Sequence, residues 1–250
     1  MSLAVVVRRE AQSFFQVPFA WVILAVMQCL MAFQFLAQIE LFLIATPQLQ
    51  RLPQPPGIGE MVVAPTLGTI ALLVLFVVPA LTMHTLAGER RAGTLVLWLS
   101  APLGLGTLVV GKFLGILTVL AVWWLLTGAM CLSLAGGTQL DWGGLASALL
   151  GLALLMMTTT AIGVAFSSLT HQPALAATGS FTCLVFLWLC DWSSGSNEGP
   201  SVFTQISLMN HYQRLLRGLV DTADVAYFCV LTAAALALAV WRLDGERRAL

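Results

Sequence analysis

The residues able to do chemistry are few. Their densest group is Glu89-Arg90-Arg91-Ala92-Gly93-Thr94-Leu95, inside a polar-leaning stretch at 88–100 between two long apolar runs. A carboxylate beside two guanidiniums can make charge-assisted hydrogen bonds across an interface. Gly93 permits a tight turn, and Leu95, Leu97 and Trp98 offer an apolar anchor. That is the chemistry of recognition rather than of bond breaking. Arg90 and Arg91 would equally suit anionic lipid head groups, so charge alone leaves protein docking and lipid contact open.

Other patterns carry less. Gly106-x-x-x-x-Gly111-Lys112 resembles the start of a phosphate loop, but Phe113 stands where a Ser or Thr should hold magnesium. Lys112 is expected to snorkel from a helix end, and Gly111 with Gly115 to allow close helix packing. The same packing is expected of Gly144, Ser147, Ala148 and Gly151. Ser167, Ser168 and His171 lie on a turn ending at Pro173, outside any lipid-buried proteolytic geometry. His84 has no partner at ligand spacing and reads as a packing histidine. The five cysteines show neither CxxC nor zinc-ligand spacing and read as small apolar residues. No catalytic residue, cofactor site or metal site is expected in this chain.

The elements that must position these residues follow from composition. With 59% hydrophobic and 9% charged residues, the chain lacks the polar shell of a soluble domain, which needs about a quarter charged. A net charge of zero argues against nucleic acid. A membrane helix needs about 20 apolar residues. Six segments qualify: 17–39, 62–87, 108–134, 143–168, 174–189 and 223–241. The first is too long for a signal-peptide core and is expected to remain uncleaved. Residues 1–16 have an apolar face interrupted by Glu10 and should form an interfacial helix. The loop at 40–61 carries four prolines and should be extended. The segment 190–222 turns amphipathic after a Gly/Ser-containing start and should hold one or two short interfacial helices.

No ionisable side chain falls mid-span, so any transport should be driven from outside the bilayer. Gln28, Gln34, Thr158, Thr159 and Thr160 are the buried polar groups, available for interhelical hydrogen bonds or for lining a path. Orientation follows from the basic residues. With the N-terminus inside, Arg8, Arg9, Arg90, Arg91, Lys112, Arg242, Arg247 and Arg248 fall on the cytoplasmic side. Only Arg51, Arg214 and Arg217 fall outside. Both termini should be cytoplasmic.

The motif at 89–95, followed by Leu99-Ser100-Ala101-Pro102 and Gly111-Lys112-Phe113-Leu114, resembles the link between spans two and three of type-2 ABC transporter permeases. A later run, Ile206-Ser207-Leu208-Met209-Asn210-His211-Tyr212, precedes Arg217-Gly218, Asp221, Asp224-Val225 and Tyr227-Phe228. It resembles the outer loop and last span of the gliding-motility subgroup, near permeases of copper-enzyme maturation. That subgroup often has Pro before the His-aromatic step, where this chain has Met209-Asn210.

The resemblance implies an all-α integral membrane protein with six transmembrane helices in a single permease domain over 1–250. Residues 88–100 would be a cytoplasmic coupling helix and 190–222 an extracytoplasmic loop. Glu89, Arg90, Arg91, Gly93, Thr94 and Leu95 would dock an ATPase. Asn210, His211, Arg217, Gly218 and Asp221 would gate the outer exit or contact a partner. Implied partners are two copies of a cytosolic ABC ATPase, which bind the ATP and magnesium, a second permease chain (identical or related) and a periplasmic auxiliary protein. Spans two and five would form the pathway and the dimer seam. The setting implied is a bacterial inner membrane, and the function ATP-driven movement of a substrate. The alternative is a mechanical transmitter that relays ATP-driven motion to a periplasmic partner without moving solute.

Overall fold

A computed structural model describes residues 3–16, 18–49, 57–100, 104–136, 141–190 and 205–248. Among them every regular element is a helix. Helix α1 (Leu3–Gln16) precedes α2 (Pro18–Leu49), and a π-helical turn (Gly59–Val63) leads into α3 (Ala64–Thr82). Two short helices follow, α4 (Ala87–Arg91) and α5 (Leu95–Ser100). After them come α6 (Leu105–Leu132), α7 (Trp142–Leu169), α8 (Pro173–Leu189), α9 (Leu208–Leu216) and α10 (Thr222–Arg248).

Local signals set several of these boundaries. Pro173 opens α8, where its missing N–H would be unpaired in any case. Asp141 caps α7 by accepting the Gly143 amide at 3.0 Å, and Ser207 caps α9 by accepting the Asn210 amide at 3.3 Å.

Five helical stretches are long and apolar enough to cross a membrane: Trp21–Pro47, Gly59–Arg91, Leu105–Gly136, Trp142–Leu169 and Thr222–Arg248. They overlap five of the six expected segments, with different bounds. The sixth falls on α8, which is apolar but has only 17 residues. The long helices alternate in direction, so the starts of α6 and α8 and the ends of α3, α7 and α10 share one end of the bundle with α1. That hinge end holds α4 and α5. The opposite end is capped by α9.

Helix α7 lies at the centre, against α3, α6, α8, α9 and α10. Its small residues permit this. A methyl group added at Gly163 would lie 2.2 Å from Thr82 Oγ1, and one at Gly151 would lie 2.8 Å from Leu215 Cβ. Helices α2 and α10 instead turn much of their apolar surface outward, with Phe33, Leu36, Ile44, Val230 and Trp241 exposed. A water-soluble monomer does not carry such a surface.

The structure corrects several expectations; Ser167 and Ser168, for one, lie within α7 and not on the turn before Pro173. The loop expected from residue 40 begins later, because α2 runs on to Leu49 and takes in Glu40 and Pro47. A proline costs a helix least near its ends. Pro53, Pro55 and Pro56 lie outside the described residues, as does 191–204 of the expected outer loop. The single helix expected at 88–100 is two helices with a break at Ala92–Thr94. Lys112 does not snorkel: it is 1% exposed.

Candidate functional site

The break between α4 and α5 follows from Gly93. Its φ of 72° is left-handed, a conformation that costs any other L-residue energy. The Gly93 amide bonds to Arg90 O at 3.1 Å and the Thr94 amide to Glu89 O at 3.0 Å. This is the pair of bonds that closes a helix on a glycine. Gly93-Thr94 therefore act as a stop signal, and the chain re-enters a helix at Leu95. Leu95 and Trp98 are buried, Trp98 beside Val6 of α1 and Leu108 of α6. Arg91, Ala92, Gly93, Thr94, Val96 and Leu97 face outward, Leu97 with 70% of its surface exposed.

The docking residues expected from sequence therefore divide. Arg91, Gly93 and Thr94 lie on the exposed side, whereas Glu89, Arg90 and Leu95 point into the protein. Arg90 donates from Nη2 to Ser168 O at 2.8 Å and to Glu246 Oε1 at 2.7 Å, and from Nη1 to the Thr170 carbonyl. It thereby ties α4 to the C-terminal ends of α7 and α10, where exposed carbonyls favour a cation. Glu89 Oε1 accepts from Lys112 Nζ at 2.8 Å, and the same ammonium meets Glu10 Oε1 at 2.5 Å. Ser167 Oγ accepts the Leu86 and Ala87 amides at 3.1 and 3.0 Å, and so satisfies unpaired donors at the start of α4. Arg9 stacks over Trp98 at 4.6 Å.

Glu10, Lys112, Ser167 and Glu246 were not among the expected site residues. Two left traces in the sequence. Glu10 broke an otherwise apolar face, because that face meets the lysine of α6. Gly111 and Gly115 mark where α1 sits: methyl groups there would lie 2.6 Å from Val6 Cγ1 and 2.5 Å from Glu10 Cβ. Their close packing is with α1. Glu246 carries a local i,i+4 pair with Arg242 at 3.6 Å, but nothing local points to Arg90, which is 156 residues away.

At the opposite end the second expected cluster is largely a set of local fasteners. Gly218 has a φ of 82° and closes α9, with its own amide on Leu215 O and the Leu219 amide on Arg214 O, both at 3.1 Å. Asp221 Oδ1 caps α10 by accepting the Ala223 amide at 3.1 Å. The Asn210 amide is the one capped by Ser207, and Arg217 is exposed. His211 is part of a polar cluster. It lies between Asp224 Oδ1 at 2.5 Å and Gln205 O at 2.9 Å, and stacks on Tyr227 at 4.1 Å. Asp224 is fully buried.

Helix α9 is stapled inward by Tyr212, whose hydroxyl donates to Leu67 O of α3 at 2.8 Å, and by Ser147 of α7, which donates to Leu215 O at 2.7 Å. Burial raises the Tyr212 phenol far above its ordinary pKa, so it donates at every relevant pH.

Between the two ends some polar groups bond between or within helices, whereas Gln28 Oε1, Thr127 Oγ1 and Thr160 Oγ1 are buried without a hydrogen-bond partner among the described residues. Thr158 bonds across to Phe228 O at 3.2 Å and to Thr232 Oγ1 at 3.0 Å, and Thr159 bonds back within α7. Gln28 reaches the Met130 sulfur at 3.7 Å. A recess of about 200 Å³ between α6 and α7 is lined by Leu117, Leu120, Ala121, Trp124, Ala153, Met156 and Met157, so it offers a hydrophilic solute nothing to bond. His84 is exposed rather than packed. The five cysteines are free thiols.

Comparison with known proteins agrees with this architecture. The model of a family described as ABC-2 family transporter protein matches residues 4–246. No curated protein matches the chain.

Proposed function

We infer that this chain, which belongs to the ABC-2 transporter family, is a transporter permease, the membrane component that does no catalysis. On that premise we propose that it is driven by a separate ABC ATPase docking on the α4–α5 hinge. One observation carries this reading: the hinge is fastened to the bundle through Glu89, Arg90, Ser167 and Trp98, while Arg91, Gly93, Thr94, Val96 and Leu97 are offered outward. A surface that receives force needs a rigid base, and this one is braced against α6, α7 and α10.

In this proposal α8 crosses as the sixth span and both termini lie with the hinge on the cytoplasmic side of a bacterial inner membrane. The ATPase acts as two copies, holding ATP and magnesium. Two permease chains meet along spans two and five, α3 and α8, which turn Leu72, Phe76, Leu175 and Phe186 outward. The reading as a transmitter to a periplasmic partner draws support from Tyr212 and Ser147, which would carry movement of α3 and α7 directly into α9. The test is co-purification. Arg91→Glu should cut the vanadate-sensitive ATPase activity recovered with the tagged permease about tenfold, without altering the amount inserted in membranes. Undiminished recovery would remove the hinge as the docking site.

A further inference from the structure

The ammonium of Lys112 is 1% exposed and has carboxylates on two sides, Glu10 of α1 at 2.5 Å and Glu89 of α4 at 2.8 Å. The Glu10 and Glu89 side chains are themselves only 12% and 22% exposed. One cation therefore faces two anions where water screens little. Another cation, Arg9, is engaged over the Trp98 ring, whose face also lies 5.8 Å from Lys112 Nζ. A single ammonium cannot fully neutralise both carboxylates, and the carboxylates repel each other across it.

We propose that Lys112 is a shared bolt for which the N-terminal helix and the hinge compete, so that loosening one tightens the other. Glu10 and Glu89 are then positioning residues acting on α6 through Lys112. The backbone geometry confines the competition to this point. Gly111 and Gly115 let α1 lie so close to α6 that Val6 and Glu10 sit directly over the glycines. A push on the hinge that draws Glu89 away would leave Lys112 wholly to Glu10 and clamp α1 on α6. A pull that lifts α1 would do the reverse. How this serves transport rests on ATPase docking at the hinge; the competition itself does not.

Hydrogen exchange of the purified permease in lipid nanodiscs, without any ATPase, tests the competition alone. Glu10→Gln should speed amide exchange in residues 3–16 about tenfold and slow it in 87–91. Glu89→Gln should do the opposite, and Lys112→Met should speed both. Local structural contacts would give single-sided losses. If Glu10→Gln and Glu89→Gln each loosen only their own helix, or loosen both, the competition is refuted. The two glutamine variants decide the matter even if Lys112→Met fails to fold. Should the exchange pattern hold while Arg91→Glu leaves ATPase recovery intact, the bolt stands and the docking site falls.

Discussion

Two neighbouring arginines, alike in charge and in sequence context, have opposite fates. Arg90 is spent inside the protein on two carbonyls and Glu246, with 9% of its side chain exposed. Arg91 is exposed. Removing one partner of a buried charge pair strands the other, at a cost of about 3–5 kcal/mol, whereas an exposed charge away from such features usually changes stability by less than about 0.5 kcal/mol. Arg90→Ala should therefore lower the thermal unfolding temperature in detergent sharply, and Arg91→Ala should leave it nearly unchanged. Equal effects would mean that Arg90 is not held as described. The Glu-Arg-Arg cluster was legible in the sequence as a place of concentrated charge. Which side chain turned inward was not, because Glu246 and Ser168 come within reach only after α7 and α10 have folded back on α4.

Among the elements, glycine was the most readable residue and its partners were the least. Gly93 and Gly218 end short helices in the left-handed conformation; a tight turn was expected at Gly93 but not a helix stop, and Gly218 was expected as a gate or partner contact. The glycines of α6 and α7 announced close packing, but the element packed against them could not be read: α1 for Gly111 and Gly115, α9 for Gly151, α3 for Gly163. Hydrophobic periodicity has little power where every face is apolar. Gly163→Ala gives a direct test at this scale. Its methyl group would lie 2.8 Å from Thr82 Cβ as well as 2.2 Å from Oγ1, so α3 and α7 must move apart, at about 1–3 kcal/mol. The same change at Gly68, where a methyl group meets nothing within 4 Å, should be harmless or slightly stabilising. Thermal unfolding of the two variants side by side decides this.

For the whole molecule, the sequence made the all-helical class plain through its apolar runs, and five of those runs overlap helices long and apolar enough to cross a membrane. The alternating helix directions place the charge-rich hinge and the α9 cap at opposite ends. In a cysteine-free background, a membrane-impermeant maleimide added to intact cells should label Arg217→Cys and spare Arg91→Cys. Labelling of position 91 from outside would reverse the proposed orientation. Helix α8 has a consequence for the lipid itself. At 1.5 Å per residue, 17 residues rise about 26 Å, short of the roughly 30 Å of hydrocarbon in an ordinary bilayer. Its long neighbours are long and apolar enough to span that thickness in full. In the proposed arrangement, where α8 crosses as the sixth span, that shortfall would be met by local thinning of the bilayer or by polar head groups drawn toward the ends of α8, a softened strip of membrane beside the permease.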